Sequence, residues 1–216
     1  DLPVDPAYIE AVLSTGDVQL INRSKWFNAI TIRTTEEEAL SAIQLLEFVS
    51  VVRSSRRLVG TDPTPDKFAA PFALSERGGQ PEDYGSSFTQ IAMLNGHLLH
   101  AMEAKGQGML IGVLDSGFDQ ANMLPAFEEL RAREGIILTR DMVNHDGDVY
   151  EDHWHGRSVL SCMAGILPGF LQGTAPLADY VLLRTEEVAT EYVVEEDNWV
   201  AGIELADSIG CDVINT

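Results

Sequence analysis

Met109-Leu110-Ile111-Gly112-Val113-Leu114 is an uninterrupted apolar run that stops on Asp115-Ser116-Gly117. A segment with no polar alternation keeps neither face in water, so it reads as a strand buried on both sides and ended by a tight turn. The same signal recurs at residues 136–138, 180–183 and 213–214, and helical patterns at 97–104, 125–133, 157–167 and 197–209 separate the runs. Strands alternating with helices of this length predict an α/β fold, a parallel sheet with helices on both faces. Ligands of such sheets lie at the carboxyl ends of the strands, which is where Asp115 falls.

The amino-terminal part follows another pattern. Pro6–Leu13 is helical, and 18–21 and 27–32 alternate as strands. Thr34 and Thr35 then precede Glu36, Glu37 and Glu38, with apolar Ala39, Leu40, Ile43 and Leu46 behind them, the order of a capped amphipathic helix. Residues 48–52 read as a further strand. Residues 1–58 are therefore expected to form a small α+β unit two layers thick. From 59 to 83, Asp62-Pro63-Thr64-Pro65, Gly78-Gly79 and Pro81 supply turns without periodicity, which predicts a linker or arm open to proteolysis. Globular character resumes at Tyr84-Gly85, and 84–216 form the parallel domain.

Fourteen Lys and Arg against 34 Asp and Glu leave a net charge of -20. A surface this acidic repels phosphate backbones and anionic headgroups, so neither nucleic acid nor membrane is expected as a partner. The uncharged stretch 158–178 is broken by Gly165, Pro168, Gly169 and Gly173 and predicts no spanning helix. Two cysteines, Cys162 and Cys211, are too few for a disulfide framework. The chain opens without Met and stops directly after a strand pattern, so it is expected to be cut from a longer protein.

A carboxylate at the end of a buried strand needs a donor. Taken alone, Asp-Ser-Gly is a common turn in which backbone amides serve. His155-Gly156 changes that reading, because it precedes Val159, Leu160, Met163, Ile166 and Leu167, one apolar face, with small Ser161, Cys162, Ala164 and Gly165 permitting close packing. His155 thus stands at the amino end of a central helix, whose dipole favours the neutral imidazole that a general base requires. A metal site is the rival. His145, Asp146, Asp148, Asp152, His153 and His155 cluster in sequence, and His153-x-His155 has the spacing of two zinc ligands on a strand. Asp146-x-Asp148-x-Tyr150-x-Asp152 resembles part of a calcium loop, without glycine at its sixth position and with Arg157 at its twelfth. The tract 185–216 carries nine acidic residues and no Lys or Arg. It reads as a solvated face; alternatively, Glu195, Glu196 or Asp197 attracts basic substrate residues or holds Arg157.

Gly106-x-Gly108-x-x-Ile111-x-Val113-x-Asp115-Ser116-Gly117, then His155-Gly156, then Gly173-Thr174-Ala175-Pro176 with a following strand, resembles the subtilisin-like serine peptidases over about residues 84–216. The resemblance implies a subtilisin-like parallel sheet in which Asp115 orients His155 and His155 takes the proton of a serine nucleophile. Residues 1–58, with Trp26-Phe27-Asn28-Ala29, a Glu-rich helix and Phe48-Val49-Ser50-Val51-Val52, are similar to the latter part of that family's inhibitory propeptide, a ferredoxin-like prodomain. Tyr84-Gly85-Ser86, Met93-Leu94-Asn95-Gly96 and Asp197-Asn198-Trp199 give the layout a likeness to secreted members of the Bacteroidetes type. Two departures stand out. His155-Gly156-Arg157-Ser158 replaces His-Gly-Thr-His and puts a long cation beside the site, and no Gly-Thr-Ser nucleophile motif occurs. The serine and the oxyanion-hole asparagine are expected beyond Thr216, leaving here only the first half of the catalytic domain.

The resemblance therefore implies a zymogen: a secreted, cell-surface or periplasmic serine endopeptidase that acts on proteins or peptides and is inhibited by its own propeptide. No cofactor is required for catalysis, a structural calcium is compatible with the intact protein, and the 216-residue chain alone is expected to be inactive. A pseudo-peptidase or interaction scaffold without a nucleophile, and a zinc-dependent hydrolase using His153 and His155, are the alternatives.

Overall fold

The computed structural model describes residues 2–55, 84–188 and 193–216. The arm expected at 59–83 lies outside the described residues.

Helix α1 (Pro6–Leu13) starts where Asp5 accepts the Ala7 amide at 2.8 Å and Pro6 fills the first turn, and it buries Ile9 and Val12. Strands β1 (Gln19–Ser24) and β2 (Ala29–Arg33) pair antiparallel, with an irregularity between Leu20 and Asn22. Helix α2 (Glu37–Gln44) buries Ala39 and Ile43. Thr34 Oγ1 accepts the Glu36 amide at 3.1 Å, and the Glu36 carboxylate accepts Asp17 N–H at 2.9 Å, fastening the start of α2 to the start of β1.

The strand expected at 48–52 does not form. Val49 N–H closes a turn onto Leu46, the Phe48 ring stacks on Tyr8 at 4.2 Å, and Val51 is 62% exposed. β-propensity becomes a ladder only by pairing, and among the described residues this segment pairs with neither β1 nor β2.

The second part begins with α3 (Phe88–Met93), which no pattern announced, and α4 (Gly96–Ala101), which falls on the helix expected at 97–104 and ends three residues before it; Asn95, at φ 59°, turns the chain between them. Strand β3 (Leu110–Asp115) follows. A 3-10 turn at Pro125–Phe127 then leads into α5 (Glu128–Ala132), β4 (Ile136–Asp141) and α6 (His155–Ala164). Helix α6 ends three residues earlier than the apolar pattern predicts, because Gly165 is extended; Ile166 and Leu167 (β5) turn back to pair with Leu171 and Gln172 (β6). Strand β7 (Asp179–Arg184), helix α7 (Val194–Ile209) and strand β8 (Val213–Asn215) complete the described chain.

The four long-range strands form one parallel sheet in the order β4-β7-β3-β8. Ile111, Val113, Tyr180 and Leu182 point to one face, where Phe127, Leu130, Leu160 and Ala164 cover them. Leu114, Val181 and Leu183 point to the other and meet Ala206 and Ile203 of α7. Both sets are apolar because both faces are covered, which is why the strands show no alternation. Each such fully buried side chain contributes about 1.5–3 kcal/mol.

The far side of α7 receives the amino-terminal unit. Asn22 Nδ2 donates to Asn198 Oδ1 at 2.6 Å, and Thr31 Oγ1 donates to Asp197 at 2.9 Å. Glu204 accepts Ser24 Oγ at 2.5 Å, Lys25 N–H at 2.8 Å and Trp26 N–H at 3.2 Å. The turn joining β1 to β2 is thus held on one carboxylate.

Candidate active site

Asp115 is the last residue of β3, and its carbonyl accepts Thr185 N–H at 2.9 Å, so the strand ladder runs up to the carboxylate itself. The side chain is almost wholly buried. Its Oδ1 accepts Ser116 N–H at 2.7 Å and Ser116 Oγ–H at 3.0 Å. His155 Nδ1 stands 2.9 Å from Oδ1 and 3.0 Å from Oδ2. The donor that a buried carboxylate requires is therefore a histidine 40 residues away. An Nδ1–H held by a carboxylate leaves the ring's lone pair on Nε2, the arrangement of a general base.

Two close approaches set this geometry. A Cβ on Gly117, whose φ is +148°, would stand 2.5 Å from His153 N; one on Gly156 would stand 2.5 Å from Gly117 O and 2.8 Å from Asp115 Cβ. The turn after β3 and the first turn of α6 touch backbone to backbone, which only glycine permits. Three hydrogen bonds stitch the two loops together: Phe118 N–H to Val149 O, Asp119 N–H to His153 O and Gln120 N–H to Tyr150 O, at 2.7, 3.1 and 3.0 Å. Arg157 adds a side-chain clamp, donating to Asp119 O at 2.9 Å and its carboxylate at 3.1 Å. The alternative in which Glu195, Glu196 or Asp197 holds Arg157 is not what forms, because Asp119 is already within reach in the adjoining loop.

Beneath the pair lies a buried cation. Arg184 ends β7 opposite Asp115, donates from Nη1 to Asp141 at 3.1 Å and from Nε to Ser116 O at 3.2 Å, and forms an ion pair with Asp152 at 3.1 Å. Asp141 uses its other oxygen to accept the Val143 and Asn144 amides. One guanidinium therefore joins the ends of β4 and β7, the turn after β3 and the loop entering α6. Burial pushes the Asp152 carboxyl above its usual range; Arg184 opposes that shift, and Asp141, Asp146 and Asp148 reinforce it.

The sequence cluster read as a metal site is dispersed. His155 Nδ1 faces Asp115, whereas His153 Nδ1 lies 3.1 Å from Ser116 Oγ. Asp146 accepts Asp148 N–H and Asp148 accepts Tyr150 N–H, so both carboxylates cap turns of their own loop. Among the described residues no three His, Cys, Asp or Glu side chains converge as a bound metal would need. Of the acidic tract, Glu195 accepts Glu187 N–H, while Asp197 and Glu204 hold the hairpin.

Ser116, Arg184, Asp141 and Asp152 were not singled out as parts of one site by sequence reasoning. The signal for Arg184 was present: a lone cation closing an apolar strand run must find anions where it is buried.

Residues 1–67 match the family described as the peptidase S8 propeptide domain of Bacteroidota. Among solved structures the chain is similar to fervidolysin from Fervidobacterium pennivorans, a keratinolytic enzyme related to subtilisin. Identity is 16% and the TM-score 0.58, covering 99% of this chain and 34% of that one. It is also similar to MycP1 from Mycobacterium smegmatis, at 19% identity and a TM-score of 0.48 over 74% of this chain and 40% of that one. The chain thus spans between 34% and 40% of the length of these two proteins. No curated protein matches it in sequence. The fold is mixed α/β, similar to that of subtilisin-like proteases, with a propeptide domain at its amino terminus.

Proposed function

We propose that this chain, a peptidase S8 propeptide followed by a subtilisin-like fold, is the amino-terminal part of a serine endopeptidase with Asp115 and His155 as two members of its triad. The observation that carries the reading is the contact of His155 Nδ1 with both oxygens of Asp115, at 2.9 and 3.0 Å, at the carboxyl end of a buried parallel strand. A serine hydroxyl supplied beyond Thr216 attacks the scissile carbonyl while Nε2 of His155 takes its proton. Asp115 holds Nδ1–H and offsets the charge of the imidazolium. The proton then passes to the leaving amine, and water repeats the sequence on the acyl-enzyme. Groups beyond Thr216 stabilise the oxyanion. The chain of 216 residues, without the serine, does not hydrolyse peptides.

Residues 1–58 act as an intramolecular inhibitor and folding aid, 59–83 as the processing arm and 84–216 as the first half of the catalytic domain. The hairpin seated on α7 through Asn22, Ser24 and Thr31 supports the first of these roles. The propeptide match at residues 1–67 supports a secreted, cell-surface or periplasmic protein. Amino-terminal sequencing of the secreted form is expected to place the mature start between Arg56 and Tyr84; a start well upstream of Arg53 overturns the division.

The reading as a whole is tested by fluorophosphonate labelling of the natural full-length protein and its His155→Ala variant, with the adduct mapped by mass spectrometry. A labelled serine beyond Thr216, lost in the variant, is the expected result. Absence of labelling after propeptide removal would overturn the reading in favour of a scaffold without a nucleophile or a metal-dependent hydrolase.

A further inference from the structure

Ser116 is fully buried and has one hydroxyl proton with two acceptors in reach: Asp115 Oδ1 at 3.0 Å and His153 Nδ1 at 3.1 Å. His153 Nδ1 also lies 3.3 Å from the amide of His155. We propose that His153 is a positioning residue for the Asp115–His155 pair, acting through the hydroxyl of Ser116. The proposal rests on the peptidase reading only in taking His155 as the base; the hydrogen-bonded chain itself is independent of it.

The argument is one of proton count. When His153 Nδ1 carries no hydrogen, it accepts the His155 amide and competes with Asp115 for the Ser116 proton. When His153 is protonated, Nδ1 becomes a donor to Ser116 Oγ, and the hydroxyl proton is driven onto Asp115. Asp115 Oδ1 then takes the full set of Ser116 N–H, Ser116 O–H and His155 N–H. Its charge is shared over more donors, and its hold on the His155 imidazole weakens. Burial of Ser116 keeps water from breaking the relay.

Asp152 and Asp141 are paired with Arg184, and Asp119, whose amide binds the His153 carbonyl, is paired with Arg157. Asp146 and Asp148 cap turns in the preceding loop. The Trp154 ring lies 5.2 Å from that of His153 and 6.1 Å from that of His155.

The test uses the 216-residue chain labelled with nitrogen-15 at histidine, reading the ring nitrogens of His155 across pH by proton–nitrogen correlation. In the parent, the His155 signals are expected to move in two steps, one for its own ring and one as His153 gains its proton. The second step disappears in both His153→Ala and Ser116→Ala. His153→Asn, whose amide can still reach Ser116 Oγ, keeps the high-pH signals near those of the parent, while His153→Ala displaces them. A single step in the parent, or a second step that survives in His153→Ala, overturns the proposal. A second step that survives in Ser116→Ala alone overturns the relay through the hydroxyl. No substrate or nucleophile is involved, so failure here leaves the peptidase reading standing, and failure of serine labelling leaves this coupling standing.

Discussion

At Gly156 the first turn of α6 passes so close to the end of β3 that a single methyl group has nowhere to go. Ala normally exceeds Gly inside a helix by about 1 kcal/mol. Here the added Cβ would meet Gly117 O at 2.5 Å, and a carbonyl oxygen fixed in a turn cannot yield cheaply. Gly156→Ala is expected to destabilise the chain by about 2 kcal/mol in urea titration; a neutral or stabilising result would show that the turn after β3 is pliable. Asp152 makes a prediction of a different kind. Its carboxyl is raised, by burial first, above the ordinary 3.8 despite Arg184. Between the ordinary and the raised value the folded chain holds a proton that the unfolded chain has lost, so this residue's contribution falls as pH rises through that window. Asp152→Asn keeps an oxygen for Arg184 and removes the penalty. Its stability at neutral pH is expected to equal or exceed that of the parent, within about 1 kcal/mol. The parent regains ground as pH falls below the window. A neutral-pH loss of several kcal/mol would mean that the pair with Arg184 outweighs burial.

Helix α7 and the hairpin β1–β2 are elements whose meeting neither pattern announces. The helix was legible from its apolar positions, but its acidic residues read equally well as a solvated face. The structure places Asp197 and Glu204 under the hairpin, where Glu204 alone accepts from Ser24, Lys25 and Trp26. Glu204→Ala would strand those three donors, a loss of about 2 kcal/mol. Amide exchange at Lys25 and Trp26 should then accelerate roughly thirtyfold, with protection in β3 and β7 unchanged. The nearby Lys25–Asp207 pair, at 3.8 Å with Asp207 62% exposed, serves as the contrast, and Asp207→Ala should leave exchange almost unaltered. Equal effects from the two substitutions would mean that general charge attraction, rather than the Glu204 hydrogen bonds, seats the hairpin.

Over the whole molecule the net charge of -20 works against compactness. Several cations are drawn into local pairs, Arg157 with Asp119, Arg133 with Asp179 and Arg184 with Asp141, so the excess negative charge repels itself across the rest of the chain. Raising ionic strength from about 0.01 to about 0.15 M shortens the screening length from about 30 to about 8 Å, and the thermal midpoint of unfolding should rise. A midpoint that falls with salt would show that attractive pairs dominate repulsion.

The sequence alone determined the buried strand β3, the turn that ends it in Asp115 and the helix that His155 opens, because periodicity and turn chemistry are written in neighbouring residues. It also marked the parallel sheet, since strands without alternation need cover on both faces. Tertiary structure decided who meets whom. It set His155 against Asp115, gathered Asp141 and Asp152 around Arg184, turned Arg157 onto Asp119, and laid the hairpin on Glu204. It also left residues 48–52 unpaired with β1 and β2, and ended α6 at Ala164, where Gly165 turns the chain into a hairpin. The physical reason is the same in each case: a local pattern records that a segment must be covered or that a charge must be paired, but the partner that satisfies it is distant in sequence and is chosen by packing.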